Sequence, residues 1–448
     1  MIRLITLAIV HYFFGIFTAV CRHQMGFTAH TEKDSLECTI RDTAGGARGR
    51  QEKASRILTF SGFIKYDIFY DTRQTVNARE ALVTLYPANT FLDASQRDIN
   101  ARSGMNMLGI HSRLRSEIRG PSFFSAKSTG LVEVDFYGNE NKHFSDLNGV
   151  RLFNAYMKLN WPTTELVIGQ DWHPMSIQGF FPGVIAFSAG APFHPMSRNP
   201  QIRVRQSFGN ASLLGAALFQ RDFTGTGPDG PGSHYLRNSG IPNIHLQALH
   251  GNDSLIVSAG IGVDYKKIVP RLFYTNTQGT IFKSGQSLSS ISLTGFISIR
   301  SKMFSLKTQG VFAQNAYDLL LLGGYAESHY TDDNNVEAKY RNLNTASGWI
   351  DIQSNRRVFN FGVFCGYTKN LGAGNKTDGA FYARGADINS IYRIAPRLIY
   401  ASGAVGVSLE GEYTTASYGV QNGNGKGKVA NPVPVTNLRT LLSVKYSF

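Results

Sequence analysis

The last eight residues of the chain decide the fold, and they read Leu441-Leu442-Ser443-Val444-Lys445-Tyr446-Ser447-Phe448. Successive side chains of a β-strand point to opposite faces, so this segment has two chemically different faces. One face is wholly apolar and carries Leu442, Val444, Tyr446 and Phe448. The other carries Leu441, Ser443, Lys445 and Ser447. The chain therefore ends in a strand with an aliphatic and aromatic face, and its last residue is Phe.

The same alternation recurs through the chain from about residue 57 onwards. In residues 288–300, for example, Ile291, Leu293 and Ile297 alternate with serine and threonine. Gly, Asn, Asp, Ser and Pro separate the segments, as expected for an all-β protein. The alternating segments lie near residues 57–70, 104–119, 128–138, 149–161, 164–172, 200–208, 211–222, 242–250, 254–265, 267–276, 287–301, 303–314, 317–328, 343–354 and 357–368. A final group, within residues 380–448, could hold two to four more strands.

These segments have the length and composition of transmembrane β-strands. Many are nine to thirteen residues long, about what a tilted strand needs to cross a bilayer. Phe (30), Tyr (20) and Gly (46) are abundant, and aromatic residues recur near segment ends, where a headgroup belt favours them. We predict one all-β domain, a transmembrane antiparallel β-barrel of about sixteen strands, with eighteen as the alternative. A soluble secreted β-protein would also alternate and remains a rival interpretation.

The closing strand also predicts where the chain is assembled. An alternating apolar strand with aromatic residues at the last and third-last positions resembles the signal that the outer-membrane barrel assembly machinery reads. We therefore assign Leu442, Val444, Tyr446 and Phe448 as a barrel-assembly signal. The predicted location is the outer membrane of a Gram-negative bacterium, with outer-membrane lipid and the assembly machinery as partners.

The N-terminal region differs from the rest. Residues 1–20 read as a signal peptide, with Arg3 followed by an apolar run. A lipoprotein site at Cys21 and an uncleaved membrane anchor are alternatives. Residues 21–56 are polar and aperiodic, so we predict a disordered lead-in before a barrel at residues 57–448. With no second long apolar segment in the sequence, a bundle of membrane helices is excluded.

Charge and motifs narrow the function classes. The formal charge of +14 suits small anions, an anionic surface or nucleic acid. We expect no nucleic-acid partner, because no basic helix, zinc module or RNA-binding motif is present. No nucleophile elbow, phosphate-binding loop or His-Glu-x-x-His motif occurs, and the Gly-rich run 422–428 reads as a flexible loop. We predict that the chain is not an enzyme and needs neither cofactor nor metal, although catalytic residues brought together from distant strands would escape such motifs.

Several phrases in the first half of the chain carry a family resemblance. They are Gly62-Phe63-Ile64-Lys65-Tyr66-Asp67, Gly130-Leu131-Val132-Glu133-Val134-Asp135-Phe136, Gly169-Gln170-Asp171-Trp172-His173-Pro174 and Pro192-Phe193 with Ser197-Arg198-Asn199-Pro200-Gln201. In this order they resemble the DcaP-type outer-membrane porins and their Bacteroidetes relatives, over about residues 57–210. The resemblance implies a trimeric barrel that prefers anions, with a pore narrowed by an infolded loop. The N-terminal lead-in departs from that pattern.

Residues 174–199 form the longest stretch of the first half without alternation. The stretch is mostly apolar and contains three further prolines after Pro174. An exposed apolar loop of that length would be costly, and loops this long are usually functional. We predict that it folds into the barrel lumen as a constriction loop. An extracellular flap or a loop at a trimer contact is the alternative.

Arginines on the predicted inner faces suggest the chemistry of the pore. If the chain turns near Phe123 and Phe124, Arg113 lies opposite Asp135 and Arg115 opposite Glu133, as partners in a charge ladder. We predict that basic residues line an anion-binding constriction, because guanidinium groups bind planar oxyanions two oxygens at a time. The set is Arg198, Arg203, Arg205, Arg113, Arg115 and Lys65, with Arg393 and Arg397 on a later strand. Alternatively, these arginines pair with nearby carboxylates and only stiffen the wall.

The sequence therefore predicts a porin for passive diffusion of small hydrophilic solutes. It would prefer anions such as small carboxylates and would assemble as a homotrimer. The alternative is a plugged barrel that acts as a receptor or an adhesin.

Overall fold

The computed structural model describes residues 29–32, 35–40, 56–137, 149–251, 255–328 and 337–448. In the first two ranges, and at residue 56, only the backbone is described. The predicted signal peptide at residues 1–20 lies outside the described residues, so that prediction stays untested.

The described residues form a closed antiparallel barrel of sixteen strands, in which each strand pairs with its neighbours in chain order. This confirms the predicted fold and strand number. The strands are β1 Arg56–Asp71, β2 Gly104–Leu108 with Arg113–Arg119, β3 Lys127–Asp135, β4 Arg151–Asn160, β5 Thr164–Trp172, β6 Arg198–Phe208, β7 Ala211–Leu218, β8 Asn243–His250, β9 Val257–Ile268, β10 Leu288–Arg300, β11 Phe304–Gln314, β12 Asn344–Ser354, β13 Phe359–Gly372, β14 Ile388–Ser402, β15 Val405–Val420 and β16 Ala430–Ser447.

The last strand closes the barrel against the first. Ser447 lies opposite Phe63, and Gly62 and Phe448 exchange two backbone hydrogen bonds of 2.9 and 3.1 Å. The side chains of Leu442, Val444, Tyr446 and Phe448 are all exposed on the outer wall, whereas Leu441 faces inward and is buried. The closing strand thus has the outward apolar face that the sequence predicts.

Short turns join the strands at one end of the barrel and long loops at the other. Phe123 and Ala126 form a bridge in the turn between β2 and β3, as predicted for a hairpin near Phe123 and Phe124. The long connections are L1 (72–103), L2 (136–150), L3 (173–197), L4 (219–242), L5 (269–287), L6 (315–343), L7 (373–387) and L8 (421–429).

Several long loops contain their own secondary structure. L1 contains the hairpin Thr75–Ala78 with Val83–Pro87, and L5 contains Phe273–Thr275 with Ile281–Lys283. L6 and L7 share a small sheet of Gly323–Ser328, Lys339–Asn342 and Phe381–Arg384. L4 contains a one-turn helix, α1 (His234–Arg237), and L6 a 3-10 turn, Tyr317–Leu319. None of the helical segments in the described ranges could serve as a transmembrane helix.

Two short strands lie within the lead-in that was predicted to be disordered. Ala29–Glu32 pairs with Ser35–Ile40, and the latter pairs with residues 56–60 of β1. These ten residues therefore differ from the prediction, because backbone pairing with the start of β1 requires no alternation of side chains. The other boundaries of the lead-in and the barrel domain stay predictions.

Candidate functional site

L3 leaves the barrel wall after β5 and folds into the lumen, as the sequence predicts for residues 174–199. Near the loop start, the amide side chain of Gln309 on β11 donates to the carbonyl of Met175 at 3.0 Å. Phe180 packs edge-on against Phe296 of β10, with ring centroids 4.7 Å apart. The loop therefore crosses from its parent strands to the opposite wall of the barrel.

Wall carboxylates bind the backbone amides of the L3 tip. Asp351 on β12 accepts from the amide of Gly183 at 2.9 Å. Glu410 on β15 accepts from the amides of Ile185 and Ala186, one at each oxygen and both at 2.9 Å. The backbone amides of these three tip residues thus all have carboxyl oxygens of the wall as partners, and the contacts fix the tip across the lumen.

Wall cations bind the backbone carbonyls of the same tip. The Lys65 ammonium donates to the carbonyl of Ile185 at 2.8 Å, and Lys307 on β11 donates to that of Phe181 at 3.1 Å. Arg397 on β14 binds Asp351 through two hydrogen bonds of 2.7 and 3.0 Å. The sequence predicts Lys65 and Arg397 as basic residues that line the pore, and both are buried. Lys65 binds the L3 tip directly, whereas Arg397 binds Asp351, the carboxylate that holds the tip.

L1 also folds inward, which sequence reasoning missed. Arg393 on β14 donates to the carbonyls of Thr84 and Leu85 in L1 at 3.2 and 3.0 Å, and to that of Ala191 in L3 at 3.0 Å. The hydroxyl of Tyr418 donates to the carbonyl of Pro87 at 2.7 Å. One buried guanidinium thus joins both infolded loops to the wall.

An apolar core fills the side of the lumen near β12–β16 and β1. L1 contributes Leu82, Val83, Leu85 and Tyr86, L3 contributes Phe187 and Phe193, and the wall contributes Trp349, Phe364, Ile391 and Leu441. This core therefore occupies the lumen along those strands. The run Leu82–Tyr86, apolar except for Thr84, between two predicted strands was the sequence signal for the buried L1 hairpin.

The predicted pairing of β2 with β3 is confirmed in register. Arg113 lies opposite Asp135, and Arg115 lies opposite Glu133. The ion pairs themselves are shifted from that register. Arg113 lies 3.5 Å from Glu133, Arg115 lies 3.3 Å from Glu117, and Asp135 pairs with Arg151.

Arg198 and Arg203 of the predicted constriction are buried in ion pairs. Arg198 has only 1% of its side chain exposed and binds Asp222, and its guanidinium carbon lies 3.6 Å from the centre of the Phe153 ring. Arg203 binds Asp171 at 2.9 Å. For these two residues the alternative interpretation, pairing with carboxylates, describes the geometry better than an open constriction does.

The inner wall from β2 to β6 keeps other basic side chains accessible. Arg115 has 43% of its side chain exposed, Arg119 has 57%, and Lys158 on β4 has 32%. Arg205 on β6 is half-buried, and its Nε atom has no hydrogen-bond partner. Arg115 and Arg205 belong to the set predicted from the sequence, and that any of these residues binds solutes stays a prediction.

Three arginines surround the carboxylate of Asp222 in L4. One oxygen accepts from Arg79 of L1 at 2.8 Å and from Arg151 at 3.3 Å. The other accepts from Arg198 at 3.0 Å (Nε), with Nη2 at 2.8 Å. Burial alone would raise the pKa of Asp222, but the three guanidinium groups outweigh it and lower the pKa to about 2. Asp222 is therefore ionised at neutral pH.

Other candidate chemistry is limited. Across the described ranges, no group of three or more His, Cys, Asp and Glu side chains is arranged to hold a metal ion. Cys365 is unpaired and lies on β13 with its side chain partly exposed.

The comparisons with known proteins point to the fold. No family model and no curated protein sequence matches the chain. An anion-selective porin from Comamonas acidovorans aligns with a TM-score of 0.51 at 13% identity, over 88% of this chain and all of that one. The chain has a porin-type barrel fold.

Two structures of OmpT, an outer-membrane protein of Vibrio cholerae, agree with that conclusion. The outer-membrane expressed form aligns with a TM-score of 0.51 at 9% identity, over 88% of this chain and 98% of that one. A trimer form of in-vitro folded OmpT has the same TM-score at 10% identity, over 88% and 99%. At these identities the similarity establishes the barrel architecture alone.

Proposed function

We propose that the chain is an outer-membrane porin of a Gram-negative bacterium, through which small hydrophilic solutes diffuse passively. The observation that carries this proposal is L3, which enters the lumen and is bound at its tip by charged residues of several wall strands. Because these wall contacts hold the tip, the loop stays across the lumen and narrows the channel through the barrel. Assembly as a trimer, and membership of the DcaP-type porins, belong to the same proposal.

The wall chemistry favours anions. Arg115, Arg119 and Lys158 are accessible cations of the inner wall between β2 and β4, and the carboxylates beside them, Glu117 and Glu165, are less exposed, at 28% and 26%. A lumen with surplus accessible positive charge raises the local concentration of anions and repels cations. Small carboxylates are the proposed solutes, because guanidinium groups match their two oxygens.

Planar bilayer recording tests this proposal. In a KCl gradient, we expect step-like conductance and a reversal potential that has the sign of the chloride equilibrium potential. Arg115→Gln should lower the ratio of anion to cation permeability severalfold, whereas Lys376→Gln, which removes an equally positive but 76%-exposed side chain in L7, should leave it unchanged. Absence of channels, or a cation preference in the wild type, would contradict the proposal.

The second candidate function is a plugged barrel that acts as a receptor or an adhesin. The observation in its favour is the apolar core that L1 and L3 build inside the lumen. Swelling of proteoliposomes in small sugars separates the two functions, because a plugged barrel would not admit the sugar. For either function we propose that the barrel acts without catalysis.

A further inference from the structure

Two cavities lie side by side on the outer wall of the barrel, on the face of β7–β11 that points away from the lumen. Their volumes are about 580 and 730 Å³, and they share Leu213, Ala248, Ile261 and Gly295. The side chains of Leu213 and Ile261 are 56% and 69% exposed, so both cavities open outwards. We call the two together the wall groove.

The wall groove exists because glycines occupy outward positions on neighbouring strands. Gly295 of β10 lies opposite Gly310 of β11, and a Cβ added at either residue would meet nothing within 4 Å. Val263, Leu293 and Phe312 are among the apolar residues around this space. Apolar cavities stay dry, and the hydrocarbon region of a bilayer contains no water to fill one. The occupant must therefore be a lipid chain or an apolar protein surface.

A basic side chain lies beyond the groove, at the long-loop end of the same strands, which in outer-membrane barrels faces the exterior. Val263, Tyr265 and Lys267 share the outer face of β9, so Lys267 lies about 13 Å along the strand from Val263. The hydroxyl of Tyr265 forms a hydrogen bond of 3.1 Å with Ser289. Tyrosine at the outer end of a strand marks the headgroup level. Lys267 therefore lies at the level of lipid phosphates.

Arg237 and Lys283 lie at the same end of the barrel. Arg237 ends α1, which contacts the end of β9, because the carbonyl of Tyr235 accepts from the amide of Val269 at 2.9 Å. Lys283 lies on the L5 hairpin, which joins β9 to β10. Within the described ranges, no ion pair involves Arg237, Lys267 or Lys283. We call these three residues the basic rim.

The sequence around the basic rim contains no acidic residue that could balance its charge. Residues 230–243 and 265–300 contain neither Asp nor Glu. Glu337 of L6 contacts the L5 hairpin, but its carboxylate accepts from the hydroxyl of Ser284 at 2.6 Å and from the amide of Gly285 at 3.0 Å. The whole chain carries a charge of +14, so a second copy is a poor partner for the rim. The charge of the rim fits an anion.

The L5 hairpin is apolar on both faces. Leu272 and Phe282 lie on one face and Phe273 and Ile281 on the other, and their side chains are between 44% and 66% exposed. Exposed apolar side chains beside unpaired cations are typical of surfaces that bind anionic membranes. The hairpin and the basic rim thus favour the same kind of partner.

We propose that the wall groove and the basic rim together bind a membrane lipid with an anionic phosphate headgroup. The acyl chain lies in the groove along β9 and β10, and the phosphate contacts the rim. Each basic residue near an anionic lipid headgroup raises the affinity by about a factor of five. The inference depends on the outer-membrane location in the proposed function and not on which solutes pass.

Native mass spectrometry of the folded, detergent-solubilised protein would count bound lipids and measure their affinities. The probes are dimyristoyl phosphatidylglycerol and dimyristoyl phosphatidylcholine, which have the same chains but an anionic and a neutral headgroup. We expect the wild type to bind phosphatidylglycerol at least about tenfold more tightly than phosphatidylcholine. Replacing all three rim residues by Gln should remove this preference.

The matched control replaces three exposed cations beside the short turns, at the opposite end of the barrel. Its substitutions are Lys127→Gln, Lys302→Gln and Arg357→Gln. This variant loses the same charge as the rim variant and should keep the wild-type preference for phosphatidylglycerol.

Gly310→Leu tests the groove independently of the rim. The new side chain enters open space on the outer wall, so it should not disturb folding. Because it fills part of the groove, it should weaken the binding of both lipids severalfold and leave the preference for phosphatidylglycerol.

Three results would overturn the inference. They are equal affinity of the wild type for the two lipids, equal effects of the rim and control variants, and unchanged lipid binding in Gly310→Leu. If Gly310→Leu separated an oligomer into monomers without changing lipid binding, the groove would be a contact between copies of the chain.

Conductance in planar bilayers separates failure of this inference from failure of the proposed function. A barrel that conducts anions but has no lipid preference remains a porin and loses the lipid site. A barrel that prefers phosphatidylglycerol but does not conduct keeps the lipid site and contradicts the porin.

Discussion

Glu410 should control how firmly L3 narrows the pore. Its two carboxylate oxygens accept the neighbouring amides of Ile185 and Ala186, both at 2.9 Å. In Glu410→Gln only one oxygen remains, and the new NH2 group faces the second backbone N–H. At least one of the two hydrogen bonds to the carboxyl group is lost and a buried backbone N–H is left without an acceptor, which costs about 1–3 kcal/mol. Since each 1.4 kcal/mol is about a factor of ten, the released tip should become about 5- to 100-fold more populated.

Single-channel recording of purified protein in planar bilayers would measure that release. We expect Glu410→Gln to open more often to a larger conductance than the wild type. Glu165→Gln is the matched control, since it removes the same charge from the inner wall, where Glu165 pairs with Lys158 at 3.7 Å. If both variants changed conductance equally, the effect would be one of lumen charge, and the reasoning about the loop tip would be refuted.

Two further predictions concern barrel closure and acid stability. In Gly62→Ala the new methyl group would overlap the backbone carbonyl oxygen of Arg113, so we expect the free energy of unfolding to fall by about 1–3 kcal/mol. On heat-modifiability gels this variant should unfold at a lower temperature than the wild type. Gly295→Ala, which has open space at its Cβ, should behave as the wild type. The folded-state pKa of Asp222, about 2, lies below its ordinary value, so its ion pairs stabilise the barrel above about pH 4, and that contribution is lost as pH falls through about 2. Denaturant unfolding of the wild type should lose about 2–3 kcal/mol more than Asp222→Asn across that interval, and parallel acid profiles would contradict the assignment.

The strand architecture followed largely from local pattern. Alternation of side chains is a property of each strand's own backbone, so it revealed most of the barrel strands, the apolar outer face of Leu442 to Phe448 and the inner positions of the arginines. It also marked segments near residues 267–276 and 317–328, which lie mainly in L5 and L6 and not in the wall, because short strands within loops alternate as well. The register of Arg113 with Asp135 also followed, because the turn between β2 and β3 is short enough to fix it. The inward course of L3 was predictable because a long apolar loop needs cover.

The partners inside the lumen depended on tertiary structure. From the sequence, Arg198 and Arg115 were both predicted to line the constriction. In the structure Arg198 is buried in an ion pair with Asp222, whereas Arg115 remains accessible beside Glu117. The difference depends on L4 and L1 returning into the barrel, and their return depends on which wall residues can bind their backbone. The sequence by itself determined the barrel and its two faces. Only the folded chain decided which charged side chains hold loops and which remain accessible, because that choice rests on contacts between residues far apart in sequence.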